Sequence, residues 1–235
     1  MQDKFKMSRE LNITLAKRNL IDYIWKSANM EGVMVTYPET DAIFNGMNVA
    51  NYKVEDIVLI NNLKHAWMFV LGHLDYPTDF AFVCKTNQLI GANLYYNAGH
   101  IRNIPVNIGG TDWKPAMPDV VQIKETLAEL FQIECVTERA ITVMCFIMRT
   151  QMFIDGNKRT ATLVANQILI NYGCGTISIA QENIQEFSNL AKIYYETNEM
   201  EQLKEFLYEK CLDGVLVEGS DTIESHEELL ATFDH

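Results

Sequence analysis

A polar loop set between two apolar helical segments constrains the fold of this chain more than any other stretch. Residues 149–172 read RTQMFIDGNKRTATLVANQILINY, and the apolar run before them extends from Ile141 to Ile147. After the loop, apolar residues recur at helical spacing from Ala161 until Gly173, which predicts a second buried helix. The loop therefore ends at the N-terminus of a buried helix, where free backbone N–H groups and the positive end of the helix dipole favour an anion.

The side chains of this loop favour the same kind of ligand. Asp155 is a hard oxygen ligand suited to Mg²⁺, and Gly156 lets the backbone approach a ligand closely. Lys158 and Arg159 add two positive charges. Together they indicate a nucleotide polyphosphate with a divalent cation. Each residue also has a simpler interpretation, with Asp155 as an N-cap of the next helix and the two cations as solvated charges.

The run from Phe153 to Arg159, FIDGNKR, resembles the signature of the Fic/Doc family, H-P-F-x-[D/E]-G-N-[G/K]-R. The resemblance implies transfer of AMP, or of another phosphate-containing group, from a nucleotide to a protein hydroxyl, with ATP and Mg²⁺ as cofactors. It implies that Phe153 is a buried anchor for the loop and that Asp155 holds the metal. It assigns nucleotide binding to Gly156, Asn157, Lys158 and Arg159.

The chain departs from this signature at the position of the general base. Aligned on Phe153, Gln151 stands where the family has histidine, and Met152 where it has proline. A primary amide has no useful basicity near neutral pH, so Gln151 cannot accept the proton of a target hydroxyl. We therefore expect a nucleotide-binding protein with weak or lost adenylyl transfer, in effect a pseudoenzyme.

Two alternatives remain open at this stage. In the first alternative, the chain is a non-catalytic module that binds a partner protein. In the second, it is a Doc-like phosphotransferase with altered chemistry. In the second case another base is needed, and His100 is a candidate by its position in the sequence.

The end of the first predicted helix resembles the inhibitory motif of one class of Fic proteins. The pattern [S/T]-x-x-x-E-[G/N] is met by Ser27, Glu31 and Gly32. The resemblance implies that Glu31 projects into the nucleotide site. The second arginine that usually pairs with this glutamate is replaced by Thr162, so Lys158, Arg159 or a polar neighbour is the expected partner.

Residues 99–110 predict a short β-hairpin. Ile104, Val106 and Ile108 alternate with other residues before a Gly-Gly turn. The segment also resembles the family flap, in which Arg102, Val106 and Ile108 match the motif. The resemblance implies that the main chain of a protein target is aligned along the flap by strand addition. A plain connecting hairpin is the alternative.

Apolar spacing, with only 5 Pro and 12 Gly, predicts a mainly α fold. With the resemblance, the fold class is a Fic-type helical bundle carrying the hairpin flap beside the active-site loop. Helices are predicted within Ser8–Met30, Lys53–Leu74, Thr78–Leu94, Pro115–Phe131 and 181–211, and a loop with at most one short turn of helix at 33–52. The chain is divided into an N-terminal helix and loop (1–52), a Fic core (53–212) and an acidic C-terminal tail (213–235).

Charge and cysteine content limit the partners and the location of the protein. The net charge of −12 argues against nucleic-acid binding, which needs a basic surface. Five widely spaced cysteines without metal spacing indicate reduced core thiols of a cytoplasmic protein. No signal core or membrane span is expected. The expected partners are a nucleotide and a protein target, and a homo-oligomer is left open.

Overall fold

The computed structural model describes residues 1–216 and confirms the mainly α fold. The predicted acidic tail lies outside the described residues from position 217 onward. The helices of the described part are, in chain order, α1 (Arg9–Arg18), α2 (Leu20–Met30), α3 (Tyr37–Phe44), α4 (Val54–Gly72), α5 (Phe80–Gly91), α6 (Val120–Leu130), α7 (Val136–Thr150), α8 (Asn157–Asn171), α9 (Ile184–Thr197) and α10 (Glu201–Phe206).

The centre of the fold is the antiparallel pair α7 and α8, which the polar loop joins. Both helices are buried on most of their circumference, so they lie inside the bundle rather than on its surface. Their fully buried residues include Ile141, Val143, Met144, Ile147, Val164, Leu169 and Ile170. Helices α1, α4 and α5 pack against α8. The loop is therefore carried by the two most buried helices of the molecule, which gives it a rigid base.

The single helix predicted over Ser8–Met30 is divided at Asn19. Asn19 leaves the helical region of backbone space, with φ −95° and ψ 10°, and its N–H still donates to Leu15 O at 3.1 Å. A short polar side chain competes for backbone hydrogen bonds and so favours helix ends over helix interiors.

Residues 33–52, predicted as a loop with at most one short turn of helix, contain the eight-residue helix α3. Thr36 and Glu39 form a capping box: Thr36 Oγ1 accepts from Glu39 N at 3.4 Å, and Glu39 Oε2 accepts from Thr36 N at 2.9 Å. Pro38 lies in the first turn, where its missing N–H is harmless. The Thr-x-x-Glu signal was present in the sequence and outweighs the turn-forming residues around it.

Helix α6 begins later than predicted, at Val120 rather than at Pro115. Asp119 caps the helix, since its Oδ1 accepts from the backbone N–H groups of Val121 and Gln122. Pro118 precedes this cap and disfavours a helical conformation at the residue before it.

The prediction of a β-hairpin at residues 99–110 is wrong, because these residues form no pair of strands. The two-stranded antiparallel sheet of the described chain lies elsewhere, between β1 (Thr176–Ile177) and β2 (Leu212–Asp213), with Thr176 opposite Asp213. In the segment 99–119 the backbone is irregular. Pro105 removes a donor from the ladder that alternation predicted, and the Arg102 side chain ties the segment to other parts of the fold.

Within residues 1–216, no helix is both long enough and apolar enough to cross a membrane. All five cysteines lie in this part of the chain and none forms a disulfide.

Candidate functional site

A buried amide closes the loop between α7 and α8. Asn157 Oδ1 accepts from Phe153 N at 3.0 Å, and Asn157 Nδ2 donates to Phe153 O at 2.9 Å. Phe153 is 1% exposed and Asn157 5% exposed. Phe153 thus lies in the anchor position expected of it, whereas the side chain of Asn157 shapes the loop from within.

Gln151 ends α7 in the left-handed conformation, with φ 46° and ψ 54°. Its Nε2 donates to Met148 O at 2.6 Å, and its Oε1 accepts from Asn157 Nδ2 at 3.1 Å. Both polar atoms of the side chain therefore hold the end of α7 to the loop. An amide bonded in this way has no group that can accept a proton from a substrate hydroxyl.

Asn87 on α5 is a positioning residue that the sequence did not reveal. It is fully buried, and its Nδ2 donates to Asp155 O at 3.0 Å and to Thr160 Oγ1 at 3.1 Å. Its Oδ1 accepts from Gly99 N at 2.8 Å. One side chain thereby fixes the loop, the start of α8 and the segment after Gly99. An asparagine inside an apolar helix is the only signal that pointed to it.

Gly156 adopts φ +76°, and the space around it excludes a side chain. A Cβ at this position would lie 2.3 Å from the hydroxyl of Tyr95. This hydroxyl is buried and has no hydrogen-bond partner among residues 1–216. Burial raises the pKa of Tyr95, so the group stays neutral. Glycine is required here both by the backbone angle and by the close approach of Tyr95.

A cavity of about 310 Å³ lies beside the loop. Its walls come from the loop, from residues 106–111 and from helix α9. The predicted site residues that line it are Glu31, Val106, Ile108, Gln151, Asp155, Gly156, Asn157 and Lys158. The fold thus gathers residues from three distant parts of the sequence around one cavity.

The chemistry of this cavity suits an anion. Lys158 and Lys192 both line it, and neither ammonium group forms an ion pair with another residue in the range 1–216. Helix α8 begins directly at the cavity, and no side chain caps its N-terminus. Asp155 does not act as the N-cap, because its Oδ1 accepts from Gly156 N at 2.5 Å instead. Uncapped N–H groups beside unpaired cations form a site for a phosphate or carboxylate.

Arg159 does not line the cavity in this structure. Its side chain is 2% exposed, and Nη2 lies 3.4 Å from Glu31 Oε2 and 3.3 Å from Asp155 Oδ1. Its Nε and Nη1 are buried without hydrogen-bond partners. Glu31 does line the cavity. The ion pair therefore keeps the guanidinium away from any ligand there and leaves two of its donor atoms unsatisfied.

Ser27 and Gly32, the remaining residues of the predicted inhibitory motif, lie in the last turn of α2 and directly after it. Glu31 caps the end of α2, and Gly32 follows with φ +83°, a conformation that favours glycine. Ser27, Thr162 and Arg159 line a very small cavity of about 20 Å³. Because residue 162 is threonine rather than arginine, the cation that pairs with Glu31 is Arg159.

The donor set fits Mg²⁺ only in combination with a phosphate. Asp155 is 58% exposed and lines the cavity. Among residues 1–216, no cluster of three or more His, Cys, Asp or Glu side chains could hold a metal. Mg²⁺ commonly binds through one or two carboxylates together with substrate phosphates and water, and Asp155 can supply one such carboxylate.

Arg102, one of the predicted flap residues, is buried and forms hydrogen bonds within the protein. It is 3% exposed, and Nε donates to Gln151 O at 2.7 Å. Nη1 donates to Ile104 O at 2.9 Å, and Nη2 donates to Ala116 O. Its own backbone N donates to Met152 O at 2.9 Å. Arg102 therefore ties the segment 102–117 to the α7–α8 loop.

The other end of this segment is attached to α9. Thr111 Oγ1 donates to Glu196 Oε1 at 2.7 Å, and the ring of Trp113 stacks on Tyr195 with centroids 5.7 Å apart. Val106 and Ile108, the two other predicted flap residues, are half-buried between these attachments. His100 is exposed and is not among the residues that line the cavity, so the geometry does not favour it as a base.

Comparison with known proteins agrees with this architecture. The sequence model described as the Fic/DOC family matches residues 77–169, which include α5, Arg102, α7, the loop and most of α8. No protein with a curated description matches the chain.

Several solved structures have the same fold. A Fic domain containing signaling protein from Bacteroides thetaiotaomicron matches with a TM-score of 0.67 and 19% identity, over 74% of this chain and 71% of that one. Fic-1 from C. elegans matches with a TM-score of 0.72 and 17% identity, over 82% of this chain. A Fic family protein from Desulfovibrio desulfuricans G20 matches with a TM-score of 0.67 and 16% identity, also over 82%. The chain spans 61% and 62% of the last two structures, less than two thirds of their length.

Proposed function

We propose that the chain, whose residues 77–169 match the sequence model described as the Fic/DOC family, binds a nucleotide polyphosphate with Mg²⁺ beside the α7–α8 loop and transfers AMP poorly or not at all. Members of this family generally transfer a nucleotide monophosphate to proteins. The uncapped N-terminus of α8, beside the unpaired Lys158, is the observation that carries the binding half of the proposal.

In this proposal, residues of the chain hold the phosphates and the metal. The first N–H groups of α8 and the ammonium of Lys158 bind the phosphates, and Asp155 supplies a metal ligand. Bound ATP with Mg²⁺ supplies the transferable nucleotide monophosphate. Lys192 lies on the α9 side of the cavity and adds a second cation. The exposed part of residues 103–110, next to the cavity, is the surface that contacts a protein target in this proposal.

Loss of transfer follows from Gln151. The absence of a general base typically removes a factor of about 10²–10⁴ in rate, while ligand binding persists. The bonds of Gln151 to Met148 and Asn157 support a structural use of this position. They favour the second candidate function, a nucleotide-regulated module that binds a partner protein without modifying it.

Glu31 regulates binding in this proposal, in the inhibitory role expected of Ser27, Glu31 and Gly32. The Glu31 carboxylate forms an ion pair with the guanidinium of Arg159, which phosphates would otherwise contact. Removal of that negative charge therefore strengthens nucleotide binding. Coupling of this kind is typically about 1–3 kcal/mol, or about 5–150-fold in affinity.

Binding is tested by the melting temperature of the purified protein with and without millimolar Mg-ATP. A ligand that binds only the folded state raises this temperature. We expect a rise for the parent, a smaller rise for Lys158→Gln and Asp155→Ala, and a larger one for Glu31→Gln. Lys85→Gln is the matched control, because Lys85 is exposed on α5 and pairs with Gln88 outside the cavity. An equal shift for every variant, or none for the parent, contradicts the proposed site.

Transfer is tested with ATP labelled on the α-phosphate and a cell extract. The parent is compared with Gln151→His and with the double variant Gln151→His, Glu31→Gly. We expect labelled proteins only after histidine is introduced. Labelling by the parent contradicts the loss of catalysis, and no labelling by any variant favours the binding module.

A further inference from the structure

A second and larger cavity lies at the opposite end of the α7–α8 pair. Its volume is about 810 Å³, within the range of about 300–1,000 Å³ that is typical of small-molecule sites. It is lined by the 75–81 segment, by α6, and by the first turn of α7 and the last turn of α8. Helix α8 rises about 1.5 Å per residue, so its two ends lie on the order of 20 Å apart and the two cavities are separate.

The wall formed by residues 74–78 is held in place rather than loosely folded. Gln167 on α8 donates from Nε2 to Leu74 O at 3.1 Å and to Tyr76 O at 3.0 Å. Gln167 Oε1 also accepts from the hydroxyl of Thr78. Gln167 is 1% exposed. A buried amide bonded to three partners makes the cavity a preformed feature of the fold.

The surface of this cavity is mainly apolar, and four aromatic side chains contribute to it. Tyr76, Phe80, Phe131 and Tyr172 all line it, and Leu127 and Ile168 add aliphatic surface. Flat apolar walls of this kind favour a ligand with an aromatic or otherwise apolar body.

The two acidic residues of the cavity are already engaged. Asp75 Oδ1 lies 2.7 Å from Arg9 Nη2, and Asp79 Oδ1 accepts from Phe82 N at 2.9 Å as the N-cap of α5. Neither carboxylate pairs with a cation of the cavity.

The two cations of the cavity have no acidic partner within residues 1–216. Lys124 Nζ lies 5.2 Å from the centre of the Phe80 ring, and the Arg139 guanidinium lies 5.0 Å from the centre of the Tyr172 ring. Arg139 donates a long hydrogen bond of 3.4 Å to Phe131 O, and its Nε is buried without a partner. The chain has a net charge of −12, yet these two cations lie against aromatic rings and have no acidic partner within residues 1–216.

We propose that this cavity is a binding site for a small organic anion with an apolar aromatic body. The aromatic residues contact the body, and the anionic group is bound by Arg139 and Lys124, which satisfies the free Nε of Arg139. The proposal is independent of nucleotide binding at the loop, because no residue lines both cavities.

The proposal is tested with 1-anilinonaphthalene-8-sulfonate, an aromatic sulfonate whose fluorescence rises when it is bound. We expect saturable binding of one molecule per chain. Arg139→Gln and Lys124→Gln should each weaken binding by about tenfold, as expected for loss of a charge-assisted contact. The neutral dye N-phenyl-1-naphthylamine should bind to the parent more weakly than the sulfonate dye does. Its affinity should be the same for the parent and for both variants.

Two further variants separate this site from other sites on the protein. Ala128 is exposed and lines the cavity, so Ala128→Trp places a bulky ring in the cavity without disturbing the core and should weaken binding. Lys192→Gln removes a cation from the other cavity and should leave binding unchanged. Circular dichroism melting without dye checks that each variant is folded.

Absence of saturable binding overturns the proposal. So does binding that is insensitive to Ala128→Trp and Arg139→Gln in folded protein, since the dye then lies elsewhere. Competition by Mg-ATP, or equal loss in Lys192→Gln, places the dye at the loop and also overturns it. Failure here leaves the nucleotide proposal untouched, because that proposal is measured with a different ligand and different variants.

Discussion

The side chain of Gln151 makes two hydrogen bonds where the family signature has a histidine. These bonds connect Met148, at the end of α7, with Asn157, at the start of α8. The position therefore has a structural use that does not depend on catalysis. A residue in the left-handed region is under mild backbone strain unless it is glycine or a short polar residue, and these two bonds offset that strain.

Gln151→Ala should lower the free energy of unfolding by about 1–3 kcal/mol, because it removes both bonds and leaves a buried amide donor with one partner fewer. Urea denaturation measures the change. Gln132→Ala is the control, since the Gln132 side chain is exposed and makes one bond of 3.4 Å to Ala128 O. It should change stability by no more than about 0.5 kcal/mol. Equal effects of the two substitutions would show that Gln151 has no special structural role.

The sequence was informative at single residues where the signal is local. The order Phe153, Asp155, Gly156 and Arg159 fixes a tight turn before a helix, and the turn is present. Asn87 was not predicted, because its partners Asp155 and Thr160 lie about seventy positions away in the chain. Hydrogen bonds of such long range leave no periodic pattern in a single sequence.

Among the structural elements, the segment 99–119 departs most from expectation. Alternating Ile104, Val106 and Ile108 predicted strands, but local alternation carries no information about the five N–H donors of Arg102. These donors reach carbonyl groups of the loop and of residues 104 and 116, so they hold the segment more firmly than a short ladder would. The prediction of α7 and α8 was correct for the same reason, because their apolar periodicity involves near neighbours and continues over many residues.

Arg102→Gln should release this segment, because glutamine cannot reach three carbonyl groups in different directions. Chymotrypsin should then cleave after Trp113 at least about tenfold faster than in the parent, since local opening exposes the bond. Mass spectrometry of the fragments identifies the site.

Asn103→Gln provides the comparison, as Asn103 is exposed and adjacent to Arg102. Its cleavage rate should match that of the parent. If Arg102→Gln is cleaved no faster than Asn103→Gln, then Trp113 and Thr111 alone hold the segment in place.

At the scale of the whole molecule, the first turn of α7 is connected to the C-terminal helices by a charged pair. Lys204 Nζ on α10 lies 2.9 Å from Glu138 Oε1. The hydrogen bond from Lys204 keeps the pKa of the Glu138 carboxyl below its ordinary value of 4.5. A carboxyl group with a lowered pKa in the folded state stabilises that state above its unfolded pKa, and this stabilisation disappears as the pH falls through the folded value.

Glu138→Gln should therefore be less stable than the parent at pH 7, by less than about 1 kcal/mol because the pair is partly exposed. The difference should shrink progressively once the pH falls below 4.5. Urea titrations at several pH values measure it. Glu125→Gln, on the exposed face of α6, should show no such difference at either end of the range. A difference for Glu138→Gln that is independent of pH would show that its cause is packing rather than charge.

The pairing of Glu31 with Arg159 has a consequence for the measured affinity of any anion that contacts Arg159. An anion can meet the Arg159 guanidinium only in those molecules where the two side chains have separated. The measured dissociation constant then equals the intrinsic constant divided by the separated fraction, so a fraction of about one in a hundred makes binding look about a hundredfold weaker. A weak titration of the resting protein would thus report how rarely the pair opens, and not how well the open site fits its ligand.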